Sequence, residues 1–360
     1  MYKQIRPLLF FFDPEFAHDT VRIIGKLFSV LPASSIFTRP FAYEHPSLRI
    51  KVEGVEFPSP VGLAAGFDKS AELLSLMQSL GFGFLEVGSV TAKAAVGNPR
   101  QRLFRLPVDS AIINRMGLNN EGADRVAERV RRFKRKIPIG VNLAKTNDPS
   151  ISGSDAVRDY LYSYETMSPY CDYIVLNISC PNSADGKTFE EGDALKELLS
   201  AITVSKKNRQ SAQPLFLKLS ADLSFQQLDD IIHIASNFAL DGYVLSNTTR
   251  ERRGLLTQRE IIDRIGEGGL SGLPLKTKST EMIRHVYKNF GKPSIIGVGG
   301  IFTGNDAYEK IKAGASLVQI YSSIVYRGPF VTKKICMELA ELLTRDGFTS
   351  VQEARGCEIP

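Results

Sequence analysis

The segment 177–182, with the sequence Asn-Ile-Ser-Cys-Pro-Asn, places two amides, a hydroxyl and a thiol close together. It follows the apolar run 173–176, which has the pattern of a strand buried on both faces. Pro181 has no N–H and a fixed φ, so the strand ends there and the loop is stiff. A rigid strand end with hydrogen-bonding groups and one ionisable nucleophile, Cys180, is typical of an active site. The alternative is a polar turn with a structural cysteine, since free cysteines are often small buried hydrophobes.

Eight short apolar runs alternate with longer helical patterns from about residue 58, and each run ends in polar or glycine-rich residues. Repeated units of this kind predict parallel strands joined by helices. We therefore predict an α/β fold, a (β/α)8 TIM barrel with an N-terminal helical extension, whose site lies at the carboxyl ends of the strands. A doubly wound open sheet would place its glycines after the first strand, whereas Gly299-Gly300 follows the seventh. The predicted strands are Val61–Ala64, Phe84–Val87, Ile139–Leu143, Tyr173–Leu176, Leu215–Leu219, Gly242–Leu245, Ser294–Val298 and Leu317–Ile320.

The loops after the last two predicted strands have the composition of a phosphate site. Barrels often bind phosphate there, because backbone N–H groups can approach the ligand closely. Gly299-Gly300 has no side chain to obstruct that approach, and Tyr321-Ser322 supplies the neighbouring loop. The glycine-rich segment 268–272 is predicted to add a second lining. Glycine pairs are also common in plain turns, and it is their position after these strands that favours phosphate.

Composition excludes several other classes of protein. The 360-residue chain has a net charge of +6, with both signs interspersed, so no nucleic-acid-binding tail is predicted. An anionic ligand or an anionic membrane surface fits this charge better. The four cysteines form no Cys-x-x-Cys pair or Cys/His cluster, which argues against a metal site and suits a reducing cytosol. No apolar run reaches the roughly 18 residues of a membrane span, and charged residues interrupt the N-terminus, so no secretory signal is predicted.

The N-terminal segment predicts a pair of helices. Leu8–Phe12 is an unbroken apolar run, and Asp13-Pro14 has the pattern of an N-cap followed by proline at the first helical position. Apolar residues from Phe16 to Leu31 then recur at helical spacing with charged residues between them, and Pro32 ends the pattern. This amphipathic helix could pack on the barrel, or the pair could lie on a membrane with its apolar side open to lipid.

Several long motifs, found in order between about residues 5 and 340, resemble those of the dihydroorotate dehydrogenase family. They are Ala64-Ala65-Gly66-Phe67-Asp68-Lys69, the segment 114–120 (Asn-Arg-Met-Gly-Leu-Asn-Asn), the segment 177–182, Ser246-Asn247-Thr248-Thr249 and the segment 296–301 (Ile-Gly-Val-Gly-Gly-Ile). The N-terminal Leu-Phe-Phe-Phe-Asp-Pro-Glu with His18 resembles the membrane-associated, quinone-using class 2.

The resemblance implies FMN as the cofactor and oxidation of dihydroorotate to orotate in pyrimidine synthesis, with a membrane quinone as electron acceptor. It implies a peripheral protein on the cytoplasmic side of a bacterial inner membrane, or of the mitochondrial inner membrane in a eukaryote. We expect residues 1–40 to form the membrane and quinone-access segment, residues 41–345 the FMN-binding barrel, and residues 346–360 a C-terminal tail. Neither a metal nor nucleic acid is expected.

The resemblance also assigns roles to individual residues. Cys180 stands at the position of the general base, which takes a proton from C5 of the substrate while the flavin takes a hydride from C6. Lys218 is expected beside the flavin, where its charge stabilises reduced FMN, and Lys69 near the substrate carboxylate. The substrate positions are Lys69, Asn114, Arg115, Met116, Gly117, Leu118, Asn177, Asn182, Asn247 and Thr248. The FMN positions are Ala65, Gly66, Phe67, Asp68, Lys69, Ser89, Asn142, Asn177, Lys218, Ser246, Gly272, Gly300, Tyr321 and Ser322. The quinone positions are His18, Arg105 and Tyr321.

Cys180 departs from the class 2 pattern, because that class generally carries serine at the base position and cysteine is typical of the soluble class 1. The N-terminal segment favours class 2, since a whole segment is harder to acquire than one substitution. A thiol, with a pKa near 8.5, also deprotonates far more easily than a hydroxyl. Two alternatives follow: a soluble class 1-like enzyme that uses fumarate or a partner protein as acceptor, and a non-catalytic flavin-binding barrel.

Overall fold

The structure is a computed structural model that describes residues 2–30, 40–179, 189–210 and 212–359. Its strands are β1 (Ile50–Val52), β2 (Val55–Phe57), β3 (Val61–Leu63), β4 (Phe84–Val90), β5 (Leu103–Leu106), β6 (Ala111–Asn114), β7 (Ile139–Leu143), β8 (Tyr173–Asn177), β9 (Leu215–Leu219), β10 (Gly242–Leu245), β11 (Gly269–Gly272), β12 (Ser294–Val298) and β13 (Leu317–Ile320). Its helices are α1 (Tyr2–Phe11), α2 (Pro14–Val30), α3 (Leu74–Ser79), α4 (Ala123–Arg132), α5 (Gly153–Met167), α6 (Gly192–Asn208), α7 (Phe225–Ala235), α8 (Arg259–Ile265), α9 (Lys276–Asn289), α10 (Gly304–Lys312), α11 (Ser322–Arg327), α12 (Val331–Arg345) and α13 (Val351–Ala354).

Eight parallel strands close into a barrel, in the order β3, β4, β7, β8, β9, β10, β12 and β13, with β13 paired back to β3. These are the eight predicted strands, so the TIM-barrel prediction is confirmed. Every residue of β7, β8 and β9 is buried, as expected for parallel strands covered by helices on one side and by the barrel interior on the other. Two strands end later than predicted, because β4 extends to Val90 and β8 extends to Asn177.

Two small antiparallel sheets were not predicted. The hairpin of β1 and β2 sets Phe57 against Phe84, the first residue of β4, and so covers the amino-terminal end of the barrel. At the other end, β5, β6 and β11 form a three-stranded sheet in which Gly269 pairs with Asn114. This second sheet contributes to the site described below.

The two predicted N-terminal helices are confirmed as α1 and α2. Asp13 caps α2, because its Oδ1 accepts the backbone N–H groups of Glu15 at 2.9 Å and Phe16 at 3.0 Å. The predicted end at Pro32 lies outside the described residues. Over the described part of the chain, no helix combines the length and apolar character needed to cross a membrane.

The charged side of α2 contacts the barrel. Glu15 is buried, and its Oε1 lies 2.9 Å from Nη2 of Arg102. Further along the helix, Arg22 Nη2 and Lys26 Nζ each lie 2.5 Å from the buried carboxylate of Glu72. Ion pairs therefore hold α2 on the barrel at both of these points.

Several apolar side chains of the helical pair lie on the outside. On α2, Phe16 is 58% exposed and Ile23 is 63% exposed, and on α1, Leu8 and Phe11 are 67% and 87% exposed. A helix of a globular protein normally turns its apolar stripe toward the core and its charges toward water. α2 has the reverse orientation, so a sizeable apolar surface is presented away from the barrel.

The C-terminal residues pack on the barrel helices. Val351 and Ala354 of α13 are fully buried, and the Gly356 N–H donates to the Ile311 carbonyl of α10 at 2.9 Å. The hydroxyl of Tyr308 donates to Asp346 at 2.8 Å. Residues 346–359 thus extend the helical layer of the barrel.

Candidate active site

A cavity opens at the carboxyl ends of the barrel strands, with an empty volume of about 1150 Å³ including the part open to solvent. The three-stranded sheet covers one side of it, through Leu103, Ile112 and Ser271. Most residues predicted for the substrate and cofactor lie around this cavity, although they come from distant parts of the chain. Those that line it are Ala65, Gly66, Lys69, Ser89, Asn114, Met116, Gly117, Leu118, Asn177, Lys218, Ser246, Asn247, Thr248, Gly272, Gly300, Tyr321 and Ser322.

The side-chain amides of Asn177 and Asn247 form a connected network on one wall. Asn177 Nδ2 donates to Ser89 Oγ at 3.1 Å, and Asn177 Oδ1 accepts from Asn247 Nδ2 at 3.4 Å. Asn114, on the three-stranded sheet, donates to the Gly269 carbonyl at 3.3 Å. Each amide carries both donors and an acceptor, so these side chains can bind a planar ring that alternates N–H and C=O groups.

The network also anchors the chain immediately before the predicted base. Asn247 Nδ2 donates to the Ser179 carbonyl at 3.0 Å and to its hydroxyl at 3.2 Å. The predicted base Cys180 and the predicted substrate residue Asn182 lie outside the described residues. Their roles therefore stay predictions, made for a segment that begins at this wall of the cavity.

Two lysines line the cavity. Burial lowers the pKa of Lys69 to about 8, and the nearby Arg102 and Arg22 cations contribute to the shift. An anion bound beside Lys69 would offset this effect and favour its charged form. Lys218 is only 5% exposed at the end of β9, and its backbone carbonyl accepts from Ser179 Oγ at 3.4 Å. The arrangement offers cationic groups to negative charge on a bound molecule.

The opposite end of the cavity is built from backbone and hydroxyl groups. Gly299 and Gly300 follow β12, and Ser322 and Ser323 begin α11, so N–H groups and hydroxyls meet there. Ser322 Oγ lies 2.9 Å from Ser271 Oγ, while the buried Ser323 Oγ has no hydrogen-bond partner among the described residues. Such a set of donors suits a phosphate group.

Gly300 is required for a reason that the sequence did not reveal. Its φ is +71°, and a Cβ there would lie 2.4 Å from Lys276 Cα at the start of α9. A side chain would therefore strain the backbone and displace α9, in addition to any effect on a ligand. From the sequence, only the close approach of a ligand was expected to require glycine at this position.

Some predicted residues lie behind the cavity wall. The Asp68 carboxylate accepts the backbone N–H groups of Glu72 and Leu73, at 2.9 and 2.7 Å, and so fixes the loop that carries Lys69. The Arg115 guanidinium donates to the Ile265 and Glu267 carbonyls, at 2.6 and 2.9 Å, and holds that segment near the three-stranded sheet.

Asn142 also lies below the cavity, where it is fully buried inside the barrel. It accepts from Ser89 Oγ at 2.5 Å and donates to Glu86 Oε1 at 2.9 Å. Sequence reasoning missed Glu86 and its partner Gln319, which lies in the strand β13 and lines the cavity. It also missed Ser323, for which the neighbouring Ser322 was the available signal, whereas Ser271 lies in the segment 268–272 that was predicted to line the site.

The residues predicted for a quinone fall into two groups. The ring of Phe67 lies between those of His18 and Tyr321, with centroid distances of 5.4 Å to each. Burial lowers the pKa of His18 to about 4, with Lys69 contributing, and burial raises the pKa of Tyr321 to about 12, so both rings are neutral at pH 7. These three rings connect α2 to the cavity.

Arg105 lies apart from those three rings. Its guanidinium donates to the Leu9 carbonyl at 3.2 Å and to the Phe12 carbonyl, and it stacks over Phe10 with its Cζ 4.5 Å from the ring centroid. The observed role of Arg105 is to hold the end of α1 on the three-stranded sheet.

The cavity fits a phosphorylated planar heterocycle such as FMN. Two buried polar atoms of residues that line it, Gln319 Oε1 and Ser323 Oγ, have no partner among the described residues. Buried polar atoms are rarely left unpaired, so both have the properties of ligand-binding atoms. No group of His, Cys, Asp or Glu residues within the described ranges could hold a metal ion.

The chain is similar to known proteins over nearly its whole length. The sequence profile of the family "Dihydroorotate dehydrogenase" matches residues 47–343. The chain is 44% identical over 363 residues to a "Dihydroorotate dehydrogenase (quinone)" of Gloeobacter violaceus, covering 99% of each chain. It is 42% identical to another of that name from Natronomonas pharaonis, covering 100% of this chain and 99% of the relative. The crystal structure of DHODH from Eimeria tenella in complex with ferulenol superposes with a TM-score of 0.85, at 35% identity and 96% coverage of both chains.

Proposed function

The chain belongs to the dihydroorotate dehydrogenase family, and on that premise we propose that it oxidises dihydroorotate to orotate with FMN and passes the electrons to a membrane quinone. The observation that carries the proposal is the orientation of α2, whose charged side faces the barrel and whose apolar side faces outward. The site chemistry fits the family as a whole, whereas this orientation favours the quinone-using class.

The amides of Asn114, Asn177 and Asn247 orient the substrate ring. Dihydroorotate presents N–H donors and C=O acceptors around one plane, and the three amides approach the cavity from β6, β8 and the end of β10. Because neighbouring side chains already fix the orientation of Asn177 and Asn247, little side-chain freedom is lost on binding. Lys69 provides the cation for the substrate carboxylate.

Cys180 accepts the proton from C5 of dihydroorotate, as the family pattern implies, while C6 gives up a hydride to the cofactor. Loss of one proton and one hydride leaves the C5=C6 double bond of orotate. A general base must lie at a fixed distance from the proton that it removes. The Asn247 hydrogen bonds to Ser179 support such a position, because they hold the residue next to the base.

FMN supplies the hydride acceptor when it is bound. Its phosphate would lie at Gly272, Gly300 and Ser322, with Ser323 as a further donor, because these residues offer N–H groups and hydroxyls at one end of the cavity. Lys218 would lie beside the ring system and stabilise negative charge there.

The N-terminal helices give a lipid-soluble acceptor access to the cavity. The outward apolar side chains of α1 and α2 would lie in the lipid surface, in the manner of an interfacial amphipathic pair. His18, Phe67 and Tyr321 then lie in a continuous series from α2 to the cavity. The protein would be a peripheral membrane protein at the cytoplasmic face of a bacterial inner membrane, or at the inner membrane of mitochondria in a eukaryote, producing orotate for pyrimidine synthesis.

The experiment that tests this proposal is the visible spectrum of the purified protein before and after anaerobic addition of dihydroorotate. We expect a yellow protein that bleaches, and recovery of the colour when quinone-containing liposomes are added. Recovery with fumarate but not with quinone would favour the class 1-like alternative. Bound FMN that never bleaches would identify a non-catalytic flavin-binding barrel.

A further inference from the structure

A layer of polar side chains lies inside the barrel beneath the cavity. Glu86 on β4, Asn142 on β7, Tyr173 on β8 and Gln319 on β13 are each at most 1% exposed. Burying a carboxylate or an amide at this depth is costly unless its hydrogen-bonding capacity is used. Apolar packing alone does not account for such a layer.

Glu86 acts as the common acceptor of this layer. Its Oε1 accepts from Asn142 Nδ2 at 2.9 Å, and its Oε2 accepts from Gln319 Nε2 at 2.6 Å and from the Tyr173 hydroxyl at 3.4 Å. An ionised carboxylate can only accept hydrogen bonds. When an amide N–H donates to Glu86, the oxygen of the same amide therefore points away from Glu86.

The two amide oxygens differ in what they contact. Asn142 Oδ1 accepts from Ser89 Oγ at 2.5 Å, so the chain itself satisfies it. Gln319 Oε1 is buried and has no hydrogen-bond partner among the described residues, although Gln319 lines the cavity. A buried acceptor with a fixed orientation beside a ligand cavity is suited to a donor on the ligand.

We propose that Gln319 is a ligand-binding residue whose Oε1 accepts an N–H of the planar ring held in the cavity, and that Glu86 is the positioning residue that fixes the orientation of the Gln319 amide. This inference rests on the proposed function in that it takes the ring to be FMN, whose oxidised ring system carries one imide N–H. The ring N–H groups of the substrate are the competing donors.

The test measures how strongly the purified holoenzyme retains FMN, from the fluorescence of the FMN that is released on dilution. Gln319→Met has a side chain of similar size without the acceptor. We expect its FMN to be held about tenfold less tightly, because the lost hydrogen bond leaves a buried donor unpaired. Tyr308→Phe is the matched control, since it also removes a buried hydroxyl that donates to a carboxylate, that of Asp346, but Tyr308 does not line the cavity, and it should retain FMN as the parent does.

The positioning role of Glu86 is tested by a double-mutant cycle. Glu86→Gln introduces an amide that must itself donate, so the orientation of Gln319 is no longer fixed. If Glu86 acts through Gln319, Glu86→Gln weakens FMN retention less in the Gln319→Met background than in the parent, whereas an equal loss in both backgrounds would overturn the positioning role. Should Glu86→Gln fail to fold, Glu86→Asp takes its place in the same cycle, because it keeps the charge and withdraws it from Gln319.

The remaining outcomes separate this inference from the proposed function. A parental protein purified without FMN that does not take up FMN would contradict the proposed function itself. A parental protein that holds FMN, with a Gln319→Met variant that holds it equally well, would overturn only the role of Gln319. Weaker binding of orotate with unchanged retention of FMN would overturn the assignment to the flavin.

Discussion

Within the described part of the chain, the cavity leaves two buried polar atoms without a partner, whereas the buried carboxylates at the contact between α2 and the barrel are paired with cations. Around the cavity, the buried Gln319 Oε1 and Ser323 Oγ have no partner among the described residues. At the α2 contact, the buried Glu15 and Glu72 carboxylates are paired with cations at distances between 2.5 and 3.1 Å. Unpaired groups are suited to binding a ligand, whereas paired groups hold two parts of the chain together.

The chemistry and the access route therefore depend on different regions of the molecule. Changes in the cavity should affect oxidation of dihydroorotate with every electron acceptor. Changes at the α2 contact, or on the outer side of α2, should affect quinone reduction and leave reduction of a water-soluble dye intact.

The largest expected effect is that of Cys180→Ala. General-base catalysis typically contributes ~10²–10⁴-fold, so turnover should fall by that factor with quinone and with dye alike, while FMN stays bound. Cys180→Ser should retain part of the activity with an optimum at higher pH, because a hydroxyl deprotonates less readily than a thiol. Cys180→Ala turnover close to the parental rate would show that another group is the base.

Glu15→Ala should detach α2 from the barrel. It removes one partner of the buried pair with Arg102, a change that typically costs about 3–5 kcal/mol. We expect faster hydrogen exchange in α2 and loss of most quinone reduction, with dye reduction preserved. Asp19→Ala is the control, because its pairs with Arg22 and Arg100 are partly exposed and such pairs contribute about 0–1 kcal/mol. Equal losses in the quinone and dye assays would contradict the separation of the two regions.

Ile23→Asp tests the outer side of α2. Ile23 is 63% exposed, so its replacement should leave thermal unfolding unchanged. If the side chain enters lipid, its loss removes about 1.5–3 kcal/mol of apolar burial, and liposome binding should weaken roughly tenfold or more. Val204→Asp, at a 55% exposed position of α6, should leave liposome binding at the parental level. Similar liposome binding by both variants would rule out membrane contact through α2.

The smallest expected effect is a pH dependence of α2 docking. The pKa of His18 is about 4 when α2 is docked, because burial disfavours its charged form, and near 6.5 when the ring is exposed to water. The undocked state therefore binds more protons between pH 4 and 6.5, so docking weakens as pH falls through that window. Hydrogen exchange of α2 measured across this range should show a smaller slope in His18→Asn and an unchanged slope in His45→Asn. If the pH dependence of exchange in His18→Asn is as steep as in the parent, the effect arises from the carboxylates at the α2 contact, those of Glu15 and Glu72.

The sequence predicted the barrel because each of its strands is a compact apolar run with polar residues at its carboxyl end. It did not predict the three-stranded sheet, because β11 (Gly-Leu-Ser-Gly) has low strand propensity and pairs with β6, which lies more than 150 residues earlier. Pairing between such distant segments is set by the tertiary fold and leaves no local pattern.

Local sequence patterns also fail to show which distant residues meet in the site. Asn177 and Gly300 stand at strand ends, where sequence position indicates function, whereas Glu86 and Gln319 lie within strands whose other residues are mostly apolar. The apolar runs predicted the two strands, but they did not show that Glu86 and Gln319 share one layer inside the barrel. The outward orientation of α2 was likewise open, because its amphipathic pattern fits packing on the barrel or on lipid equally well.

The most direct test of the separation between chemistry and access measures the two half-reactions of the full-length Ile23→Asp protein in a stopped-flow instrument. Dihydroorotate is first added anaerobically and bleaching of the flavin is followed; liposomes containing quinone are then added and recovery of the colour is followed. We expect bleaching at the parental rate and recovery roughly tenfold slower or more, since only membrane contact is weakened. Slowed bleaching together with parental recovery would contradict this expectation, because the outer side of α2 would then serve the chemistry of the cavity and not the access of the quinone.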